Sequence, residues 1–192
     1  MLGANVESKT RCSDLAEVAR VAASLGARHA GRLDQVDTYF HVARGRLKLR
    51  EISLLALDGR LELSAELIRY ERPDESGARV STYERTEIAD PAACRAMLEA
   101  EYGLRGRVTK RRELWLHGAT RIQLDSVEGL GDFVELETVA GGKPSESDRL
   151  EHDRLVADLS LDPAATVAAS YIDLLDEPKV SPPRVEKDCA AR

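Results

Sequence analysis

Aromatic side chains are scarce in this 192-residue chain, at 4 %, with one Trp and two Phe. Whatever core it builds must be filled mostly by Leu, Val, Ile and Ala. Cysteine is nearly absent too. Cys12, Cys94 and Cys189 are too few and too scattered for a disulfide framework or a Cys-rich zinc site, and read as isolated thiols in a reducing compartment. The four histidines, His29, His41, His117 and His152, share no metal-ligand spacing, which argues against a transition-metal centre. No signal peptide and no bilayer-length apolar run appears, so a cytoplasmic protein without membrane contact is expected. A positive charge excess is also missing: the net charge of −6 argues against a general nucleic-acid binder. Internal repeats, a Walker-type Gly-Lys loop and a nucleophile elbow are all lacking.

What the chain has in quantity is charge, 32 % of its residues, much of it arranged with period two. In Arg46-Leu47-Lys48-Leu49-Arg50-Glu51, a β-strand places Arg46, Lys48 and Arg50 on one face and Leu47 and Leu49 on the other. One such run is an ordinary antiparallel strand with a solvated cationic face. Several of them can close into a barrel with a polar lumen. A lumen rich in Lys and Arg, with a few carboxylates, suits a polyphosphate held with a divalent metal.

The pattern recurs along the chain. Asn5 to Arg11 sets Asn5, Glu7, Lys9 and Arg11 on one face, which fits a metal-and-phosphate site or a solvated edge strand equally well. Gln35 to Phe40 is rich in β-formers. Glu62 to Arg72 and Val80 to Ile88 read as a hairpin around the turn Pro73 to Gly77. Val108 to Leu116 puts Lys110 and Arg112 opposite Trp115. Thr120 to Val127 groups Arg121, Gln123 and Asp125, and Asp132 to Glu137 groups Glu135 and Glu137. Two carboxylates on one strand face repel unless cations or metal lie opposite, which favours a lumen.

Helical signals lie between and after these runs. Ser13 is placed to cap a helix carrying Leu15, Val18, Ala22 and Leu25, ended by Gly26. Asp90 caps a second helix, with Pro91 in its first turn, a Cys94-Met97-Leu98 stripe expected in the core, and Gly103 at its end. Ser145 caps a third, with Leu150, Leu155, Val156 and Leu159. Asp162-Pro163 starts a last short helix toward Tyr171 and Leu174. One domain over residues 1–175 and a disordered tail over 176–192 are expected.

Several blocks together resemble the CYTH superfamily of class IV adenylate cyclases, thiamine triphosphatases and related triphosphate tunnel metalloenzymes. They are Asn5-Val6-Glu7-Ser8-Lys9, Gln35 to Phe40, Gly45 to Glu51, Tyr70-Glu71-Arg72-Pro73 and Leu124 to Glu137. The resemblance implies a mainly β (α+β) fold: a closed eight-stranded antiparallel barrel with peripheral covering helices. It implies magnesium or manganese bound by Glu7, Glu135 and Glu137, with Asp125 as a further acidic contributor. Lys9, Arg46, Lys48, Arg50, Lys110 and Arg112 are implied as catalytic phosphate contacts, and Arg11, Arg72 and Arg121 as further substrate contacts. The family's first-strand signature is Glu-x-Glu-x-Lys, and Asn5 stands here in place of the first glutamate.

Three activities follow as expectations. Water attacking the terminal phosphorus gives hydrolysis of tripolyphosphate, thiamine triphosphate or ATP. A ribose 3′-hydroxyl attacking the α-phosphorus of ATP gives cyclic AMP and pyrophosphate. A module that binds polyphosphate or a nucleotide without turnover is the third. No adenine-specific motif is recognisable, which favours hydrolysis; a homodimer is compatible with all three.

Overall fold

The computed structural model describes residues 2–71, 79–141 and 143–177. Eight antiparallel strands make the closed barrel that the period-two runs predict: β1 (Leu2–Arg11), β2 (Arg28–Phe40), β3 (Arg46–Leu55), β4 (Leu61–Glu71), β5 (Arg79–Glu87), β6 (Leu104–His117), β7 (Thr120–Val127) and β8 (Gly131–Ala140). Their order around the wall is β1-β5-β4-β3-β2-β6-β7-β8, and β1 pairs with β8 to close the ring. β2 and β6 start earlier than alternation predicts. They pair from Arg28↔Leu116 to Phe40↔Leu104, so backbone hydrogen bonding carries both beyond the polar alternation. β4 and β5 form the expected hairpin, whose turn at Pro73 to Gly77 lies outside the described residues.

Directly opposed residues in an antiparallel pair share a face. The register therefore places Lys9↔Glu135, Glu7↔Glu137, Asp37↔Arg50, Arg112↔Asp125 and Arg121↔Glu137 on the inner wall. The alternate residues Ile122, Leu124, Val134 and Leu136 face outward. They pack against α1 (Leu15–Ser24) and α3 (Glu146–Asp158), where Val18, Ala22 and Leu155 complete an aliphatic core outside the barrel.

Helix ends and faces depart from the sequence expectations in instructive ways. Asp14, not Ser13, caps α1: its carboxylate accepts from the Glu17 N–H at 2.9 Å, and negative charge is favoured at a helix N-terminus. α2 (Pro91–Tyr102) has the expected Asp90 cap, but its Cys94-Met97-Leu98 stripe is not core; Met97 is 73 % exposed. α2 lies against β2 and β3, where Arg95 pairs with Glu51 at 2.6 Å. α3 carries a capping box of Ser145 and Asp148, buries His152 and Leu155, and leaves Leu150 63 % exposed.

The expected last helix is two separate pieces, a 3-10 turn (Pro163–Ala165) and α4 (Tyr171–Asp176), the latter capped by Ser170. Between them the chain is drawn out along β1: the Val167 N–H donates to the Lys9 carbonyl at 2.8 Å, and Thr166 bridges to Thr10. α4 then closes one end of the barrel, packing Tyr171 and Ile172 onto Tyr39, Val108, Val127 and Phe133. Gly106 of β6 permits this approach, since a Cβ there would stand 2.9 Å from Ile172 Cδ1. Residues 178–192, most of the expected disordered tail, lie outside the described residues, and α4 itself runs across the expected boundary at 175. Among the described residues no helix is long and apolar enough to cross a membrane.

Candidate active site

The inner wall encloses a cavity of about 410 Å³. Lys9 of β1, Lys48 and Arg50 of β3, Lys110 and Arg112 of β6 and Arg121 of β7 all line it. Two other cations singled out in the sequence, Arg46 and Arg11, do not join them. Arg46, at the start of β3, is drawn to α4, where it pairs with Asp173 at 2.6 Å. Arg11 is exposed at the closed end, stacked on the Phe133 ring at 4.9 Å and donating to the Leu130 carbonyl. Arg72 lies outside the described residues.

Each buried cation is held by a carboxylate, Asp37, Asp125 or the half-buried Glu135. Asp125 is fully buried and accepts from Arg112 Nε and Nη2, both at 2.6 Å, from Lys110 Nζ at 3.1 Å and from the Tyr171 hydroxyl at 3.0 Å. Asp37 accepts from Arg50 Nε at 2.7 Å, Arg50 Nη2 at 2.8 Å and Lys48 Nζ at 2.8 Å. Glu135 takes Arg112 at 2.6 Å and Lys9 at 3.2 Å. Lys9 is further fixed by the Ala169 carbonyl at 3.2 Å and by the Tyr171 ring, 3.8 Å below its ammonium. The cations are thus positioned before any ligand arrives.

This packing moves the proton equilibria. Burial opposes the ionisation of Asp37 and Asp125, but the Arg50–Lys48 and Arg112–Lys110 pairs outweigh it and hold both carboxyls below the usual range. Burial and the adjacent Arg50 guanidinium bring the Lys48 ammonium down to about 7, with Asp37 offsetting part of the shift. Lys110 is lowered for the same reasons, by burial and then by Arg112. Burial, with Glu135 and Asp125 beside it, raises the Tyr171 hydroxyl, which therefore stays a donor.

Of the four acidic residues expected to bind metal, Asp125 accepts one bond at Oδ1, from Arg112, and three at Oδ2, from Arg112, Lys110 and Tyr171. Glu7 and Glu137 face each other across β1 and β8. Glu137 also accepts from Arg121 at 3.2 Å, Gln123 at 2.9 Å and the Asn5 amide. The Asn5 Oδ1 is buried with no hydrogen-bond partner. Among the described residues, no three His, Cys, Asp or Glu side chains stand arranged around a common metal position.

Asp37 and Tyr171 carry site geometry that sequence reasoning did not assign to them. Asp37 belongs to the period-two set Leu33, Gln35, Asp37 and Tyr39, which lines the lumen and was legible as such. Tyr171 has no local signal, because it reaches the site through the docking of α4. The histidines have no part in the site. His152 is fully buried behind β1 and β8, bonding the Ser8 hydroxyl at 2.8 Å and the Thr138 hydroxyl at 3.2 Å.

The CYTH domain matches residues 3–171. The chain belongs to the CYTH family. Solved structures with the same fold include the PH1012 protein from Pyrococcus horikoshii, 22 % identical over 88 % of this chain and 98 % of that one, with a TM-score of 0.75. A candidate adenylate cyclase from Vibrio parahaemolyticus is 22 % identical over 90 % of this chain and 97 % of that one, with a TM-score of 0.64. HpAC1 from Hippeastrum, described as an adenylyl cyclase candidate with a dominant triphosphatase activity, is 16 % identical over 93 % of this chain and 98 % of that one, with a TM-score of 0.59. No curated protein matches the chain.

Proposed function

We propose that this CYTH protein is a divalent-metal-dependent triphosphatase that cleaves the terminal phosphoanhydride of an inorganic or organic triphosphate inside the barrel. The observation that carries the reading is the convergence of Lys9, Lys48, Arg50, Lys110 and Arg112 on one cavity, each anchored by a buried carboxylate or carbonyl. Fixed cations in a water-poor site stabilise the charge that builds on phosphate oxygens and on the leaving group. Asp37 and Asp125 act from behind them, holding each ammonium or guanidinium so that little reorganisation is needed when phosphate binds.

The donor set fits a hard divalent cation such as magnesium or manganese, which takes oxygen ligands. Glu7, Glu137 and the unpartnered Asn5 Oδ1 lie on neighbouring strands of the same inner wall, and Glu135 follows one rung further in. These are the residues that would hold it. Asp125 is left out of the set because it is the counter-charge for Arg112 and Lys110. When bound, the metal supplies charge neutralisation on the phosphate oxygens. Asn5 contributes an oxygen without charge, so the site is less anionic than one with a carboxylate there.

Water attack at the terminal phosphorus then yields phosphate and the shortened product. The triphosphatase activity described for HpAC1 supports this reading, and the cyclase description of the Vibrio protein supports the alternative, cyclic AMP formation. Incubating the protein with magnesium and, in turn, tripolyphosphate, thiamine triphosphate and ATP decides between them. Phosphate release is expected; cyclic AMP with pyrophosphate from ATP would establish the cyclase, and no product would leave a binding module.

A further inference from the structure

Gln35 stands out on the wall opposite the acidic strand. It is 3 % exposed, lines the cavity, and its Oε1 has no hydrogen-bond partner. Its cross-strand neighbours on the same face are Ile52 of β3 and Lys110 of β6. Along β2 it lies between Asp37, which binds Lys48 and Arg50, and Leu33. It therefore sits where the cationic wall gives way to the aliphatic side chains Leu33 and Ile52. Around the ring β1 and β2 are four places apart in either direction, so Gln35 faces the strand that carries Asn5, Glu7 and Lys9.

An acceptor amid ammonium and guanidinium groups normally captures one of them. Here those groups are engaged elsewhere: Lys110 and Arg112 on Asp125, and Arg50 on Asp37. A buried polar group without a partner is uncommon and asks for an explanation. The triphosphate chain proposed for this tunnel is a poor source of a partner, because a chain bound to divalent metal and cations is ionised and offers acceptors. A water molecule supplies one. Water accompanies the substrate in hydrolysis, and its hydrogen is what Gln35 Oε1 lacks.

We infer that Gln35 is a positioning residue that accepts a hydrogen bond from the attacking water and turns its lone pair toward the terminal phosphorus. This rests on the triphosphatase reading. In the step, the water oxygen forms the new P–O bond. The bridging P–O bond breaks, with its electron pair leaving on the departing diphosphate. The water's proton passes to product phosphate or solvent, not to the amide, which is too weak a base to keep it. The role is orientation, so it belongs in kcat and leaves substrate and metal binding untouched.

The test compares wild type, Gln35→Met and Gln35→Glu on tripolyphosphate with magnesium, measuring kcat, KM, magnesium half-saturation and pH dependence. Gln35→Met keeps the length and removes the acceptor, and misorienting a reactant in this way is expected to cost about 100-fold in kcat while KM moves less than about threefold. Gln35→Glu restores an acceptor, so kcat recovers in part and the pH profile gains a new ascending limb as the introduced carboxyl ionises. Wild-type kcat in Gln35→Met, or a loss confined to KM, overturns this role while leaving hydrolysis standing. No phosphate release by the wild type overturns hydrolysis and the role with it. If Gln35→Met does not fold, Gln35→Glu decides by itself: the new limb supports the role, and an unaltered profile overturns it.

Discussion

Arg112 grips Asp125 with two hydrogen bonds of 2.6 Å from Nε and Nη2, in the driest part of the tunnel. The pair is opposed in register on β6 and β7, so the sheet itself brings fork and carboxylate together. Its other partners, Lys110 and Tyr171, tie a second cation and the closing helix α4 to the same carboxylate.

Asp125→Asn is therefore expected to act on stability before activity. It removes the carboxylate that Arg112 and Lys110 share and leaves them with Glu135, at 2.6 and 4.0 Å. Losing one partner of a buried pair typically costs ~3–5 kcal/mol. Thermal unfolding checks it: a large fall in Tm is expected. A normal Tm with a raised magnesium requirement would instead restore Asp125 to the metal set.

Lys48 offers the opposite case. Arg50 keeps both its bonds to Asp37 when Lys48 is removed, so Lys48→Ala is expected to fold with nearly unchanged Tm. A charge-assisted contact to phosphate is worth ~1.5–3 kcal/mol, which corresponds to roughly 10- to 150-fold in kcat/KM if expressed in the transition state. Steady-state kinetics on tripolyphosphate measure it, and an unchanged value removes Lys48 from the phosphate site.

The same lysine predicts a proton signature. Burial and Arg50 bring its ammonium down to about 7, so at about pH 8 it is mostly neutral in the free protein. A polyanion placed beside it favours the charged form and draws in a proton. Titration calorimetry of tripolyphosphate in buffers of different ionisation enthalpy is expected to show that uptake, and Lys48→Met to abolish it.

Acid stability follows from Asp37, Asp125 and Asp173. In Asp173, burial opposes ionisation, but hydrogen bonds from Ser170, Arg105 and Arg46 outweigh it and depress the carboxyl. A carboxyl depressed in the folded state binds fewer protons there than in the unfolded chain. Its stabilising contribution is complete above the ordinary carboxylate pKa, about 4, and is lost as the pH falls below that value. Urea unfolding at about pH 6 and at about pH 3 is expected to show this loss. A smaller slope in Asp173→Asn confirms the share of the α4 latch.

Much of the tunnel was legible because β-strand alternation is a local property. Lys48 with Arg50, Lys110 with Arg112, and Glu135 with Glu137 each share a face by spacing alone, and all six line the cavity. What escaped depends on tertiary contacts. Arg46 alternates with Lys48 and Arg50, but α4 docks beside it and supplies Asp173. The bonds that Asp125 accepts from Arg112 and Tyr171 come from other elements, the cross-strand β6 and the docked α4, and no local pattern signals them. The α2 stripe has helical spacing, but Met97 turns to solvent and Cys94 and Leu98 are only half-buried, an orientation set by how the helix docks on the barrel.

The metal set is tested by titrating the rate with magnesium. Glu137→Gln and Glu135→Gln are expected to lose most metal-dependent turnover while remaining folded, since the amide is nearly isosteric. Asn5→Glu is expected to lower the magnesium concentration at half-maximal rate by adding a charge beside Glu137. Unaltered titrations in folded variants would reduce these glutamates to partners of Lys9, Arg112 and Arg121.

The most direct test of hydrolysis in the tunnel is phosphorus NMR of tripolyphosphate incubated with the protein and magnesium. Hydrolysis predicts that the tripolyphosphate resonances give way to phosphate and pyrophosphate in equal amounts, and only when magnesium is present. Tripolyphosphate that remains intact beside folded, magnesium-supplied protein would contradict it.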